Sequence, residues 1–177
     1  MTRTRKTSLI GAAFAAGALV LATAGHAALP VGSTAPDFET RGALAGKVFT
    51  LKLSDALKKG PVVLYFFPAA FTPGCTAEAH EFAEATDAFN KAGATVIGMS
   101  ADPVDKLAKF STEECRDKFA VASAGPAVIK GYDVALGAVT KRTSYVISKT
   151  GKIAYEFTDM NYMDHVKKTL AAVQSLK

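Results

Sequence analysis

"PVVLYFFPAAFTPGCTAEAHEFAEATDAFNK", residues 61–91, decides the architecture of this chain. Residues 61–67 are an unbroken β-branched and aromatic run, the pattern of a strand covered on both faces and therefore central in its sheet. Over residues 76–91 the composition becomes helical. Phe82 and Phe89 stand two turns apart with Ala79 and Ala85 on the same side, and Glu78, Glu81 and Glu84 are expected to face elsewhere. A lone cysteine, Cys75, sits where the apolar strand has ended and the helix begins.

The flanks continue the alternation. After an extended opening, "VFTLKL" (48–53) alternates as a strand, and "ATVIGMS" (94–100) is a short buried one. "DPVDKLAKFSTEECRDKF" (102–119) is expected to be helical, with Asp102 as N-cap and Pro103 at the first helical position. "AVAS" (120–123) is a strand, and a single helical turn is expected around "PAVIKGY" (126–132). "TSYVIS" (143–148) and "IAYEFT" (153–158) are strands joined by a tight turn at Thr150-Gly151. A closing helix over 163–176 places Val166, Leu170 and Val173 on one side. This order describes an α/β domain, a three-layer α/β/α arrangement with a central mixed sheet, and it is the order of a thioredoxin-like fold.

At 177 residues the chain has the length of one domain, and no repeat, low-complexity tract or Pro/Gly-rich linker divides it. Its beginning is set apart. Arg3, Arg5 and Lys6 precede an apolar, small-residue stretch over 7–25, and Gly25 and Ala27 suit a cleavage after Ala27. Residues 1–27 therefore read as a secretory signal peptide, and residues 28–177 as an exported, periplasmic domain without stable membrane association. The alternative is an uncleaved membrane anchor, because residues 9–25 approach the roughly 18 to 20 residues that span a bilayer. Removing the leader takes away three basic groups and no acid, which lowers the net charge from +5 to +2. The remaining Lys and Arg are scattered, which argues against nucleic acid or an anionic membrane as partner.

A loop at the carboxyl end of a central strand is where α/β proteins bind ligands. With the helix starting near Pro73 or Gly74, the Cys75 sulfur lies in its first turn, where unpaired N–H groups and the helix dipole favour a thiolate. Such positions lower a cysteine pKa from about 8.5 to about 3.5–7.5. A Cys-x-x-Cys pair is absent, because Glu78 occupies the second position. Cys75, Cys115, His80 and His165 have no ligand spacing, so neither metal nor cofactor is expected, and both histidines read as surface or helix-face residues. The two cysteines leave a structural bridge, a redox pair, or one reactive thiol and a bystander open. Taken singly, Cys75 could be an inert buried thiol, Thr72 a turn residue and Pro68 a strand terminator.

Pro68, Thr72 and Cys75 form the spacing Pro-x-x-x-Thr-x-x-Cys, and "PAAFTPGCTAE" (68–78) resembles the peroxidatic motif of peroxiredoxins. Its "TPGCTAE" resembles the bacterioferritin-comigratory-protein or PrxQ subgroup, with an AhpC/TSA-type redoxin domain. "VGSTAPDF" (31–38) resembles the opening of that domain and "TKRTSYVISKTGKI" (140–153) its late hairpin, so the resemblance runs over residues 29–177. It implies a thiol-dependent peroxidase that reduces hydrogen peroxide and organic hydroperoxides. Cys75 as thiolate would attack the nearer peroxide oxygen and become a sulfenic acid. Thr72 would hydrogen-bond the peroxide, Arg142 would hold the thiolate and polarise the O–O bond, Glu78 would orient Arg142, and Pro68 would shield the site from water. Arg142 is chosen over its neighbour Lys141 because a planar fork suits a two-point contact.

Many members of the subgroup carry a second cysteine five residues after the first, a position held here by His80. Cys115, on the helix expected over 102–119, is the remaining candidate for a resolving cysteine, with a bystander or a permanent bridge as alternatives. Joining it to Cys75 needs Cα atoms about 4.4–6.8 Å apart, and so an unwinding at the start of a helix. The expected partners are a peroxide and a thiol reductant protein that the sequence does not identify, and the chain is expected to be a monomer. Two other functions compete: an exported thiol-disulfide exchange protein, opposed by the missing Cys-x-x-Cys, and a non-catalytic thioredoxin-fold module stapled by its two cysteines.

Overall fold

The computed structural model describes residues 1, 2 and 28–176, so the signal peptide expected over 1–27 lies, but for its first two residues, outside the described residues. In chain order the elements are β1 (Glu39–Leu44), β2 (Lys47–Lys52), α1 (Leu53–Lys59), β3 (Val62–Phe66), α2 (Pro73–Lys91), β4 (Thr95–Ser100), α3 (Val104–Glu113), β5 (Ala120–Ser123), α4 (Pro126–Gly131), β6 (Ala135–Leu136), β7 (Val139–Thr140), β8 (Thr143–Ile147), β9 (Ile153–Thr158) and α5 (His165–Gln174). Seven strands form one sheet in the order β2-β1-β5-β4-β3-β8-β9. β3, β4 and β5 run parallel and the other pairs antiparallel, so the sheet is mixed. This is the thioredoxin-like α/β architecture expected from the element order.

β3 lies between β4 and β8, and all five of its residues are buried. Its side chains alternate between faces. Val62, Leu64 and Phe66 join Met99, Tyr132, Tyr145 and Leu57 on one side. Val63, Tyr65 and Phe67 join Phe82, Phe89, Phe110 and Val173 on the other, beneath α2, α3 and α5. Two apolar layers therefore need one strand apolar at every position, and that is the uninterrupted run seen in the sequence.

Several expectations are corrected. Leu53 opens helix α1 instead of ending a strand, and buries itself with Leu57 against the sheet. Asp102 is not the N-cap of α3, which Pro103 precedes directly. Its carboxylate instead accepts from the Ala70 backbone N–H at 2.7 Å, from Ser100 Oγ at 2.9 Å and from Lys106 Nζ at 2.7 Å. Burial opposes its charge, but Lys106, Ala70 and Ser100 outweigh burial and hold the pKa below the usual carboxylate range. α3 ends at Glu113 and does not reach residue 119, because Arg116 and Asp117 adopt left-handed conformations with φ of 51° and 59°. The Thr150-Gly151 turn is a three-residue hairpin loop with Gly151 at φ 76°, closed by Ser148 N–H donating to the Lys152 carbonyl at 2.8 Å.

Candidate active site

α2 starts at Pro73, preceded by an extended Thr72 (φ −80°, ψ 148°), so Cys75 is the third helical residue and its sulfur sits in the first turn. The loop leading into it is fixed at several points. Asp102 holds the Ala70 N–H, and Thr72 Oγ1 donates to the Ala69 carbonyl at 2.9 Å. Thr140 Oγ1 donates to the Phe67 carbonyl at 2.7 Å. Phe71 takes φ 67°, a costly region for a bulky side chain, while its ring meets Phe110 edge-on at 5.2 Å. Pro68 is half-buried directly after the last buried residue of the run, Phe67.

Arg142 arrives from the residue before β8. Its Nη2 donates to Cys75 Sγ at 3.5 Å, its Nη1 to Glu78 Oε2, and its Nε to the Met160 carbonyl at 3.0 Å. The neighbouring Lys141 is fixed through its backbone N–H, which donates to the Val134 carbonyl at 2.7 Å. Gly74 faces the same guanidinium: a Cβ there would stand 3.4 Å from Arg142 Nη2 and 3.9 Å from Tyr162 Cδ1, in ordinary van der Waals contact with both. Cys75 is 1% exposed and Arg142 4%, so their contact is made with little water to weaken it.

Glu78 is fully buried, which overturns the expectation that it faces away from the apolar side of α2. Cys75, Glu78, Ala79, Phe82, Thr86 and Phe89 share one buried face at helical spacing. The signal was legible there, because Glu78 lies three residues after Cys75 and four before Phe82. Burial raises the Glu78 pKa against the pull of Arg142. Burial also weakens the charge of Arg142, but Glu78 and Cys75 outweigh this and hold its pKa above the usual value.

His165 is likewise buried and not a surface histidine. Its Nε2 lies 2.9 Å from the Asp159 carbonyl and its Nδ1 2.7 Å from Ser144 Oγ. Burial, above all, pushes its pKa down to about 4, so the ring is neutral near pH 7 and its 3.8 Å approach to Glu78 Oε1 is not an ion pair. His80 is half-buried, with Nε2 2.7 Å from Glu114 Oε2. Periodicity does not distinguish either histidine from a surface residue, since their partners lie on other elements.

Cys115 lies beyond the end of α3, not on the helix, and both cysteines are free and buried in one apolar cluster. Burial pushes the Cys115 thiol pKa up, with Glu114 and Asp117 adding to it. Its segment is tied to α2 by three contacts in register: Glu114 to His80, Arg116 to Glu84 at 3.2 Å, and Lys118 to Asp87 at 3.9 Å. Tyr65 Oη is buried without a hydrogen-bond partner, and burial raises its pKa, with Cys115, Glu78 and Cys75 acting in the same direction.

Residues 31–156 match the AhpC/TSA family. The chain is 34% identical to peroxiredoxin Q, chloroplastic, of Oryza sativa subsp. japonica over 149 residues, 82% of this chain and 67% of that protein. It is 29% identical to peroxiredoxin Bcp of Bacillus subtilis over 158 residues, 84% of this chain and 97% of that protein. The crystal structure of peroxidoxin BcpB from Mycobacterium tuberculosis is similar with a TM-score of 0.74 and 34% identity, covering 83% of this chain and 97% of that one.

Proposed function

From the premise that this chain belongs to the AhpC/TSA family and is a thiol-dependent peroxidase, we propose that Cys75 is its nucleophile and Arg142 the group that prepares it. The observation that carries this reading is the 3.5 Å approach of Arg142 Nη2 to Cys75 Sγ, with Glu78 bonded behind the guanidinium. A thiolate in the first turn of α2 faces one fixed positive charge. It attacks the nearer oxygen of the peroxide, the O–O bond breaks, and the departing oxygen leaves as water or an alcohol after taking up a proton. Cys75 is thereby oxidised to sulfenic acid. Arg142 stabilises the charge that moves onto the departing oxygen, Thr72 supplies a hydroxyl to the peroxide, and Pro68 closes the apolar wall behind it.

Cys115 completes the cycle in this reading. Its thiol displaces hydroxide from the Cys75 sulfenic acid, giving a Cys75–Cys115 disulfide and water, and a thiol reductant protein returns both to thiols. Both sulfurs are free and buried, so in this reading the step goes through a local opening, and the segment after α3, held to α2 by the three contacts at His80, Glu84 and Asp87, is the part that moves. Residues 1–27 are a signal peptide in the same reading, which places the enzyme in the periplasm, and the chain works as a monomer. The basic start and the small-residue, apolar stretch after it support the first point. The exposed large apolar residues fall in short groups at different points of the chain, among them Leu44, Val48 and Phe49 on the β1–β2 hairpin, Phe71 before α2, Leu136 in β6 and Met160 and Met163 before α5, which supports the second.

Intact mass and peptide mapping of the reduced protein, before and after one equivalent of hydrogen peroxide, test the reading. Loss of two hydrogens with Cys75 joined to Cys115 is the expected result. Oxygen gained on Cys75 alone removes Cys115 from the cycle, and an unmodified Cys75 removes the nucleophile assignment.

A further inference from the structure

Arg142 can serve Cys75 only while it is aimed, and one of its three bonded nitrogens rests on a carbonyl in a connecting loop. Nε donates to the Met160 carbonyl at 3.0 Å. Met160 lies in the connection from β9 to α5 and is 51% exposed, so its side chain packs little against the body of the fold. The residue before it is clamped. His165 Nε2 lies 2.9 Å from the Asp159 carbonyl, and a carbonyl oxygen can only accept, so Nε2 carries the proton. Nδ1 is then the acceptor, and Ser144 Oγ donates to it at 2.7 Å.

These bonds close a ring around Arg142. The Asp159 N–H donates to the Arg142 carbonyl at 3.3 Å, and Ser144 stands two residues after Arg142 in β8. The backbone of Arg142 and the loop that receives its Nε are thus both tied to one imidazole. The ring is packed tilted against Phe157 at 4.8 Å between centroids and is fully buried, so it has a single place to stand.

The other side of the imidazole meets Glu78. Nδ1 is 3.8 Å from Glu78 Oε1, an oxygen buried without a hydrogen-bond partner. At that distance no hydrogen bond forms, and in the Nε2–H tautomer Nδ1 has no proton to offer the carboxyl oxygen. Glu78 is left with Arg142 as its one strong partner, whereas a proton on Nδ1 would draw the carboxylate away from the guanidinium.

We propose that His165 is a positioning residue for the peroxide reaction: as the Nε2–H tautomer it holds Asp159 and Met160 so that Arg142 points at Cys75, and it leaves Glu78 wholly to Arg142. The proposal rests on the roles given above to Cys75 and Arg142. His165 itself touches neither the peroxide nor the sulfur.

The test uses the full chain as His165→Phe, His165→Gln, Ser144→Ala and Arg142→Met. Three quantities are read: the rate constant for oxidation of Cys75 by hydrogen peroxide, the pH–rate profile of Cys75 alkylation, and the thermal midpoint. His165→Phe keeps a ring against Phe157 and loses both polar contacts. Its oxidation rate is expected to fall about ten- to hundredfold, with the alkylation profile moved to higher pH. His165→Gln can still donate to the Asp159 carbonyl and is expected to recover most of the rate. Ser144→Ala frees Nδ1 and is expected to shift both readouts in the same direction by less, and it decides the matter should His165→Phe not fold. The proposal is overturned if the folded His165→Phe protein, or Ser144→Ala in its place, keeps both readouts within twofold of the parent while Arg142→Met loses activity. It is also overturned if His165→Phe is slow with an unmoved profile and His165→Gln gives no recovery. Should Arg142→Met itself react at the parent rate, the role of Arg142 fails and the proposal falls with it.

Discussion

The guanidinium Nη2 of Arg142 lies 3.5 Å from the sulfur of Cys75, across 67 positions of sequence. One residue comes from the amino end of a helix, the other from the edge of an antiparallel strand, and nothing local to either requires the meeting. The contact is anchored from behind by Glu78, from the side by the Met160 carbonyl and through the backbone by Asp159. A buried cation held at three nitrogens is a stiff electrostatic device, and its effect on the sulfur can be tested one contact at a time.

Arg142→Lys keeps a positive charge but loses the planar fork that reaches Cys75 and Glu78 together. The rate of Cys75 oxidation should fall about 10²-fold, the scale for losing one oriented donor at a developing charge. Stopped-flow measurement with hydrogen peroxide checks this, and a Lys variant within threefold of the parent would mean that charge alone suffices.

Glu78→Gln and Glu78→Ala should separate two effects. Gln preserves volume and still accepts from Arg142 Nη1, so folding should survive while oxidation slows. Both variants lose the charge, but Ala also removes the oxygen that accepts from Arg142 Nη1 and leaves the buried guanidinium unpaired on that side, which should cost about 3–5 kcal/mol of stability. Urea denaturation of both variants reads the difference, and equal midpoints for the two would contradict the buried pair.

Neutralising the contacts that tie the Cys115 segment to α2, as His80→Ala, Glu84→Gln and Asp87→Asn together, should make disulfide formation faster. Each contact is partly or largely exposed and contributes about 0–1 kcal/mol, so the combined gain should be roughly three- to tenfold. The first step, oxidation of Cys75, should keep its rate. Rapid-quench mass spectrometry resolves the two steps, and a triple variant whose disulfide forms more slowly would show that this segment guides Cys115 instead of restraining it.

The stability contributed by His165 should depend on pH with a defined sign. Its pKa is lowered from 6.5 to about 4 in the fold, so the unfolded chain binds the proton more readily. That contribution is whole above about pH 6.5 and drains as the pH falls toward about 4. Glu78 works the other way, because burial raises its pKa, so the parent protein alone would mix the two trends. The comparison with His165→Gln isolates the histidine: the stability advantage of the parent at pH 7.5 should shrink by about 2 kcal/mol at pH 5. An advantage that stays constant or grows on acidification contradicts a neutral buried ring.

Much of the architecture was legible because its causes are local. The apolar run over residues 61–67, the Pro-Gly entry to α2 and the strands at 143–148 and 153–158 are specified by periods of two and 3.6 and by backbone restrictions acting within a few residues. The mistakes share a cause as well. Helical composition continues through residues 114–119, and only the left-handed turn at Arg116 and Asp117, with Arg116 paired to Glu84 of α2, keeps α3 from continuing past Glu113. Asp102 has the position of a cap before Pro103, yet its carboxylate accepts from the Ala70 N–H that the sheet brings beside it. Charge and polarity normally prefer water, yet Glu78 and His165 are buried, and although the spacing of Glu78 from Cys75 and Phe82 announces its burial, nothing nearby announces what pairs with it. Each has a buried partner that no local pattern announces.

By itself the sequence determined the strand, the loop and the helix, and with them the place of Cys75 in a first helical turn, since those depend on neighbours within one or two turns of chain. Tertiary structure decided which cation serves the cysteine. The antiparallel pairing of β3 with β8 sets Phe66 opposite Thr143, which brings Arg142 beside the loop that leaves β3. Side chains alternate faces along a strand, so a slip of one residue would turn Lys141 or Thr143 toward the sulfur instead. Register is a property of the packed sheet, fixed by burying both of its faces at once, and no single segment contains it.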